Sequence, residues 1–293
     1  MRITQSITYD KYINDLMRKQ ESLYKSNVEL STGRKVNAPS DDPVNASRIL
    51  TTKSVLSEYD QYEKNISYGL SYLNEAEHSL QSVKDILTRI QELAVSESTG
   101  TADAFSRANT AKVVSGLYDQ LVSIGNTRLD ERYIFAGYKT STQPFTPAGV
   151  YQGDANSYAI RINTTTTVTL GINGGEVFSG VPAGTDVFKS VSDLVTALGA
   201  NDATGIQSSL DTLEASYKQV SEAVSTVGGR ITRLNAVQND LTFSKTELQT
   251  TLSSLEDADM TKVISDLQLG QTALQASIAS AGKVFSINIF DYL

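Results

Sequence analysis

Apolar residues return every seven positions at both ends of this chain, and a seven-residue apolar period calls for a partner helix. Near the start, Tyr9, Leu16, Leu23 and Leu30 keep the interval, with Ile13 between them. Toward the end, Met260, Leu267, Leu274 and Ala281 keep it again, interleaved with Ile264, Gln271, Ile278 and Phe285. The second seam spans about 39 Å of helix at the usual rise per residue. The other faces carry Lys, Asp, Gln, Ser and Asn. So narrow a stripe buries too little area to hold a helix to a globule, but it fits another helix. The two terminal seams are therefore expected to pair with each other, and helices of neighbouring subunits to complete the knobs-into-holes packing.

The interior shows the same period with a different expected outcome. Ile66, Leu73, Leu80 and Leu87, with Ala76, Val83 and Ile90, form one seam; Val227, Leu234, Leu241, Leu248 and Leu255 form another. Each has the other as a partner inside the chain, so both are expected in an intrachain bundle. Gly33 suits the position just past a first helix, and Asp42-Pro43 an N-cap and first-turn proline for a second helix reaching about Val95. Gly69 is expected to bend that helix, and a third helix to run from Ala104 to about Asp130.

The middle has another texture. Ten of the 19 glycines and three of the five prolines lie between Gly137 and Gly205. The alternation of Tyr158 to Asn163 and the β-branched run Thr164 to Thr169 predict short strands. Gly171-Ile172-Asn173-Gly174-Gly175 predicts a hairpin turn, and Lys189 to Leu198 a short helix. The expected fold is mainly α with a β-rich insertion. Terminal coiled-coil segments occupy 1–42 and 258–293, a helical bundle 43–136 and 205–257, and a β-rich outer domain 137–204.

Composition removes most catalytic chemistry. The chain has no cysteine and one histidine, His78, which sits among Glu75, Glu77 and Ser79 off the seam and reads as solvated. Thiolate sites, histidine cages and a Ser-His-Asp triad are poor expectations on that inventory. A formal net charge of −8 argues against nucleic-acid binding. No apolar stretch reaches the length of a membrane span, so no membrane insertion is expected. Asp41-Asp42 and Asp257-Ala258-Asp259 lack the spacing of a calcium loop and read as capping and junction residues. No catalytic, cofactor or metal residues are expected. The closing run Val284 to Leu293 carries six large apolar side chains, unusual for a terminus and suited to contact with another subunit.

Leu30-Ser31-Thr32-Gly33-Arg34-Lys35-Val36-Asn37, followed by Pro39-Ser40-Asp41-Asp42-Pro43, resembles the N-terminal signature of the flagellin family. The stretch from Glu256-Asp257-Ala258-Asp259-Met260 to Leu293 resembles that family's other end. Three further stretches resemble its members at the hook–filament junction. These are Arg132 to Thr140 with Gln143-Pro144-Phe145; Tyr151-Gln152-Gly153-Asp154 with Arg161-Ile162 and Gly175 to Phe178; and the closing Phe290-Asp291-Tyr292-Leu293.

The resemblance implies a non-enzymatic adaptor of the bacterial flagellum, joining the hook, through the other junction protein, to the filament. Implied partners are flagellin, that junction protein, identical subunits in a ring, and a cytosolic export chaperone. The chain would pass briefly through the cytoplasm, leave by type III export and end outside the cell. The expected assembly residues are Leu16, Leu23, Leu30, Met260, Ile264, Leu267, Leu274, Ile278, Phe285 and Leu293. The alternatives are filament flagellin itself, or a secreted binding module on a helical stalk, which would show a concave pocket with converging polar groups.

Overall fold

The computed structural model describes residues 5–99 and 102–286. Among these the chain is mainly helical: α1 (Gln5–Thr32), α2 (Pro43–Glu97), α3 (Ala104–Gly125), α4 (Gly174–Phe178), α5 (Val187–Gly199), α6 (Ala203–Glu256) and α7 (Met260–Ser286). Strands β1 (Arg128–Leu129) and β2 (Arg132–Tyr133) form one antiparallel pair, and β3 (Ala159–Arg161) and β4 (Thr167–Thr169) another. The chain divides into two compact units, Met1–Glu58 with Phe243–Leu293, and Tyr59–Thr242.

The second unit is built on the interior seams. Ile66, Leu73, Leu80, Leu87 and Ile90 of α2 are fully buried, and on α6 the seven-residue step holds from Ile206 through Leu213, Val220, Val227 and Leu234 to Leu241. These residues share one core with Ile162, Val168 and Leu170 around the small sheet. α2 is continuous through Gly69, which is a close-approach position. A Cβ there would meet Ile160 Cδ1 at 2.8 Å, Leu234 Cδ1 at 3.1 Å and Leu170 Cδ2 at 3.2 Å.

Two local readings change for identifiable reasons. The third helix stops at Gly125, five residues early, because the Asn126 side chain is engaged elsewhere: its Nδ2 donates to the Phe145 carbonyl at 3.0 Å and its Oδ1 accepts from the Phe145 N–H at 2.9 Å. A tight hairpin follows, with Asp130 (φ 47°) and Glu131 (φ 65°) as its two left-handed central residues. The expected hairpin turn at Gly171–Gly175 is corrected. Asn173 instead N-caps α4, accepting from the Gly175 N–H at 2.9 Å. Gly174 is needed because a Cβ would lie 2.4 Å from the Phe135 carbonyl oxygen.

Phe145, from the quoted Gln143-Pro144-Phe145 stretch, sits at the centre of a ring cluster, with centroids 5.0 Å from Phe188, 5.2 Å from Phe178 and 5.2 Å from Tyr151. That motif therefore packs a core. Nearby, Tyr72 donates to the Ile134 carbonyl, and its ring meets Tyr158 edge-to-face at 5.7 Å. Burial pushes the Tyr72 phenol up to about 12, and burial likewise pushes Tyr151 up to about 12. Both folded values lie above the unfolded one, so their contribution is whole below pH 10 and is lost as pH rises toward 12. Denaturant midpoints should fall across that window, and Tyr72→Phe should flatten part of the fall; an unchanged slope would contradict it.

Candidate assembly interface

The two signature segments of the sequence meet in space, within the first unit. Gly33 closes α1 in the left-handed region (φ 70°), its N–H donating to the Glu29 carbonyl at 2.8 Å. The chain then runs beside the α6–α7 junction. Lys35 N–H donates to the Glu256 carbonyl at 2.7 Å, and Ala258 N–H to the Gly33 carbonyl at 2.9 Å, flanking an Arg34–Asp257 bridge. Lys35 Nζ donates to the Ser254 carbonyl at 2.6 Å.

At the centre, the Glu256 side chain is only 6% exposed, and its Oε1 lies 2.7 Å from both Arg34 Nε and Lys53 Nζ. A buried carboxylate is tolerated only where cations compensate it, and here two share one oxygen. Because nothing lies within 4 Å of a Cβ at Gly33, Gly33→Ala carries only the left-handed backbone cost, about 1 kcal/mol. Gly33→Asn should lose less, and thermal melts of the two variants check the order.

Of the acidic residues, Asp42 and Asp259 cap helices, whereas Asp41 braces the loop before α2 and Asp257 bridges to Arg34. Asp41 accepts from the Ala38 N–H at 2.8 Å and the Asn37 N–H at 3.1 Å, and these bonds hold its carboxyl below the usual range. Asp42 accepts from the Asn45 N–H at 2.9 Å in the first turn of α2, which lowers it likewise. Asp259 accepts from the Lys262 N–H at 3.1 Å and starts α7.

Helices α1 and α7 pack against each other. Leu23 lies on Gly270, where a Cβ would come within 2.8 Å of Leu23 Cδ2, and Lys19 Nζ donates to Ser277 Oγ. The two contacts run in opposite chain directions, so the pair is antiparallel. Leu16, Leu23 and Leu30 are half-buried, as are Leu267 and Leu274. The inward face of α7 is completed by Val263, Gly270, Ser277 and Ala281, which are buried or half-buried.

The seven-residue seam read along α7 thus splits in two. Leu267 and Leu274 belong to the α1-facing stripe, whereas Met260 (41% exposed), Ile264 (44%) and Ile278 (53%) form a second stripe that the described residues leave open. On α1, Ile13, Met17 and Tyr24 are exposed in the same way. Phe285 and Leu293 lie outside the residues whose side chains are described. Sequence reasoning missed Val263, Gly270 and Ser277, because two of them are small. A run of small or apolar residues one position before Ile264, Gln271 and Ile278 is the available signal. An open apolar stripe on a helix is a surface that another helix can cover.

His78 is exposed. Among the described residues there is no group of three or more His, Cys, Asp or Glu able to hold a metal ion, and no helix long and apolar enough to cross a membrane.

Comparison with known proteins places these helices. The profile of the bacterial flagellin N-terminal helical region matches residues 3–140, and that of the bacterial flagellin C-terminal helical region residues 210–293. The chain is 29% identical to flagellar hook-associated protein 3 of Escherichia coli, over 99% of each chain. It is 29% identical to flagellin of Bacillus subtilis, over 95% of this chain and 94% of that one. Its fold is similar to the crystal structure of flagellar hook associated protein-3 from Legionella pneumophila, with a TM-score of 0.64 at 15% identity, covering 71% of this chain and 98% of that one.

Proposed function

The chain belongs to the flagellin family, whose N- and C-terminal helical regions together match most of it, and from that premise we propose that it is the structural adaptor joining the flagellar hook to the flagellin filament. The observation that carries the reading is the open stripe of Met260, Ile264 and Ile278 beside a terminal helix pair that is already folded. A subunit built this way has its own seam closed and a second seam free for neighbours. Those neighbours are identical subunits in a ring, the other junction protein on the hook side and flagellin on the filament side. The work done is mechanical: helix packing transmits torque and position, and the joint performs no reaction.

The likeness to E. coli flagellar hook-associated protein 3 supports the junction over the filament, because it extends over 99% of both chains. Deleting the protein tests it. The mutant should build complete hooks and release flagellin unattached into the medium; hooks that still carry filaments would overturn the reading. Filament flagellin is the second reading, favoured by the likeness to the Bacillus protein. Purified chain that polymerises into long filaments on its own would support it.

Before export the open face of α7 needs a cover, which fits an export chaperone in the cytoplasm. A truncation ending at Ala258 removes α7 and should abolish chaperone binding; retained affinity would place that contact elsewhere.

A further inference from the structure

The second unit contains a cavity of about 280 Å³ between α4 with the preceding loops and the face of α6. Its apolar wall is Ile172, Val177, Ala223 and Val227. Arg230, Glu222 and Glu176 also line it, and they form no ion pair with one another. Opposite charges around one hollow ordinarily close on each other when they can reach. Glu222 and Arg230 are two turns apart on α6, about 12 Å of helix, which keeps them separate.

The walls are fixed. Gln219 Nε2 donates to the Val177 carbonyl at 2.9 Å and the Thr185 carbonyl at 3.0 Å, and its Oε1 accepts from the Thr185 N–H at 2.8 Å. Arg230 is half-buried, and its one hydrogen bond among the described residues is a long one, 3.5 Å from Nη1 to the Gly171 carbonyl. The rest of the guanidinium is uncommitted. Both glutamates are exposed at the rim. The cation is thus the less exposed of the three charges, and the apolar residues line the same cavity.

We propose that this cavity binds a small zwitterion, an α-amino acid with an aliphatic side chain. Its carboxylate meets Arg230, its ammonium meets Glu222, and its side chain lies on Ile172 and Val177. A guanidinium and a carboxylate form charge-assisted paired bonds, and a ligand carrying both charges satisfies both ends at once. The site is separate from the helix-packing role proposed above and stands whether or not that role holds.

Titration calorimetry on the full-length chain tests it with L-leucine and two half-ligands, leucinamide, which lacks the carboxylate, and 4-methylpentanoate, which lacks the ammonium. L-leucine should bind saturably, and each half-ligand should bind at least about tenfold more weakly, the effect of one lost charged hydrogen bond. Arg230→Gln should weaken L-leucine about tenfold. Glu222→Gln, at the exposed rim and hence harmless to folding, should weaken L-leucine and leave 4-methylpentanoate unchanged. Half-ligands that bind as well as L-leucine, variants that bind like the parent, or no saturable binding of L-leucine up to about 20 mM would overturn the assignment.

Discussion

Ile264→Asp combined with Ile278→Asp should leave the isolated subunit intact and stop a neighbouring subunit from docking on its open stripe. Both side chains are about half exposed, so the monomer loses little and its melting temperature should move by no more than about 2 °C. In a docked interface each isoleucine would contribute about 1.5–3 kcal/mol of apolar burial, and an aspartate there must also be desolvated. Two such changes imply a loss of at least about 100-fold in association. Complementation of a deletion strain, read as swimming and as filament-bearing hooks, measures the outcome. Leu23→Asp is the contrast: Leu23 lies on Gly270 inside the chain, so it should lower the melting temperature first. If the Ile264/Ile278 double variant assembled normally, the open stripe would not be the joint.

The second large effect concerns Glu256. Removing Arg34 or Lys53 alone leaves the carboxylate with one cation at 2.7 Å. Their side chains are 53% and 39% exposed, so solvent screens each interaction and each single methionine variant should cost about 1 kcal/mol or less. Removing both strands a buried charge, and the double variant should cost about 3 kcal/mol. The signature is this excess over the sum of the singles. Denaturant midpoints of the four proteins in the cycle give it directly, and amide exchange in α1 and α7 should rise only in the double variant. An additive total below about 1 kcal/mol would show that Glu256 is less buried in solution than here.

How much of this was readable beforehand follows from which signals are local. The interior seams were legible because bulky aliphatics at a fixed step leave no alternative face to bury, and Ile66 to Ile90 are in the core as the period implies. The seam on α6 begins at Ile206 and runs through Leu213 and Val220 before reaching Val227, and the polar Glu214, Ser216, Lys218 and Gln219 between Leu213 and Val220 dilute the pattern there. Gly33, Asp42 and Pro43 were legible as helix punctuation because capping depends on neighbours one to four residues away.

The division of α7 into two stripes was not legible. Which of two adjacent apolar lines faces α1 depends on where Gly270 and Ser277 admit a close backbone, a fact about the partner's position. Glu256 was equally hidden, since its two cations come from 222 and 203 residues away in sequence. The Gly171–Gly175 misreading has the same origin: the glycine is required by the Phe135 carbonyl, far off in the chain.

That α7 turns one line of side chains to its own chain and leaves another line open has a genetic consequence. A lesion at Val263, Gly270 or Ser277 spoils the subunit before it can meet another, so a wild-type copy in the same cell should mask it. A lesion at Ile264 or Ile278 yields a sound subunit that enters the structure by its intact surfaces and blocks the next addition. Such alleles should be dominant. Substitutions one residue apart on a single helix, 263 against 264 and 277 against 278, should therefore fall into opposite inheritance classes.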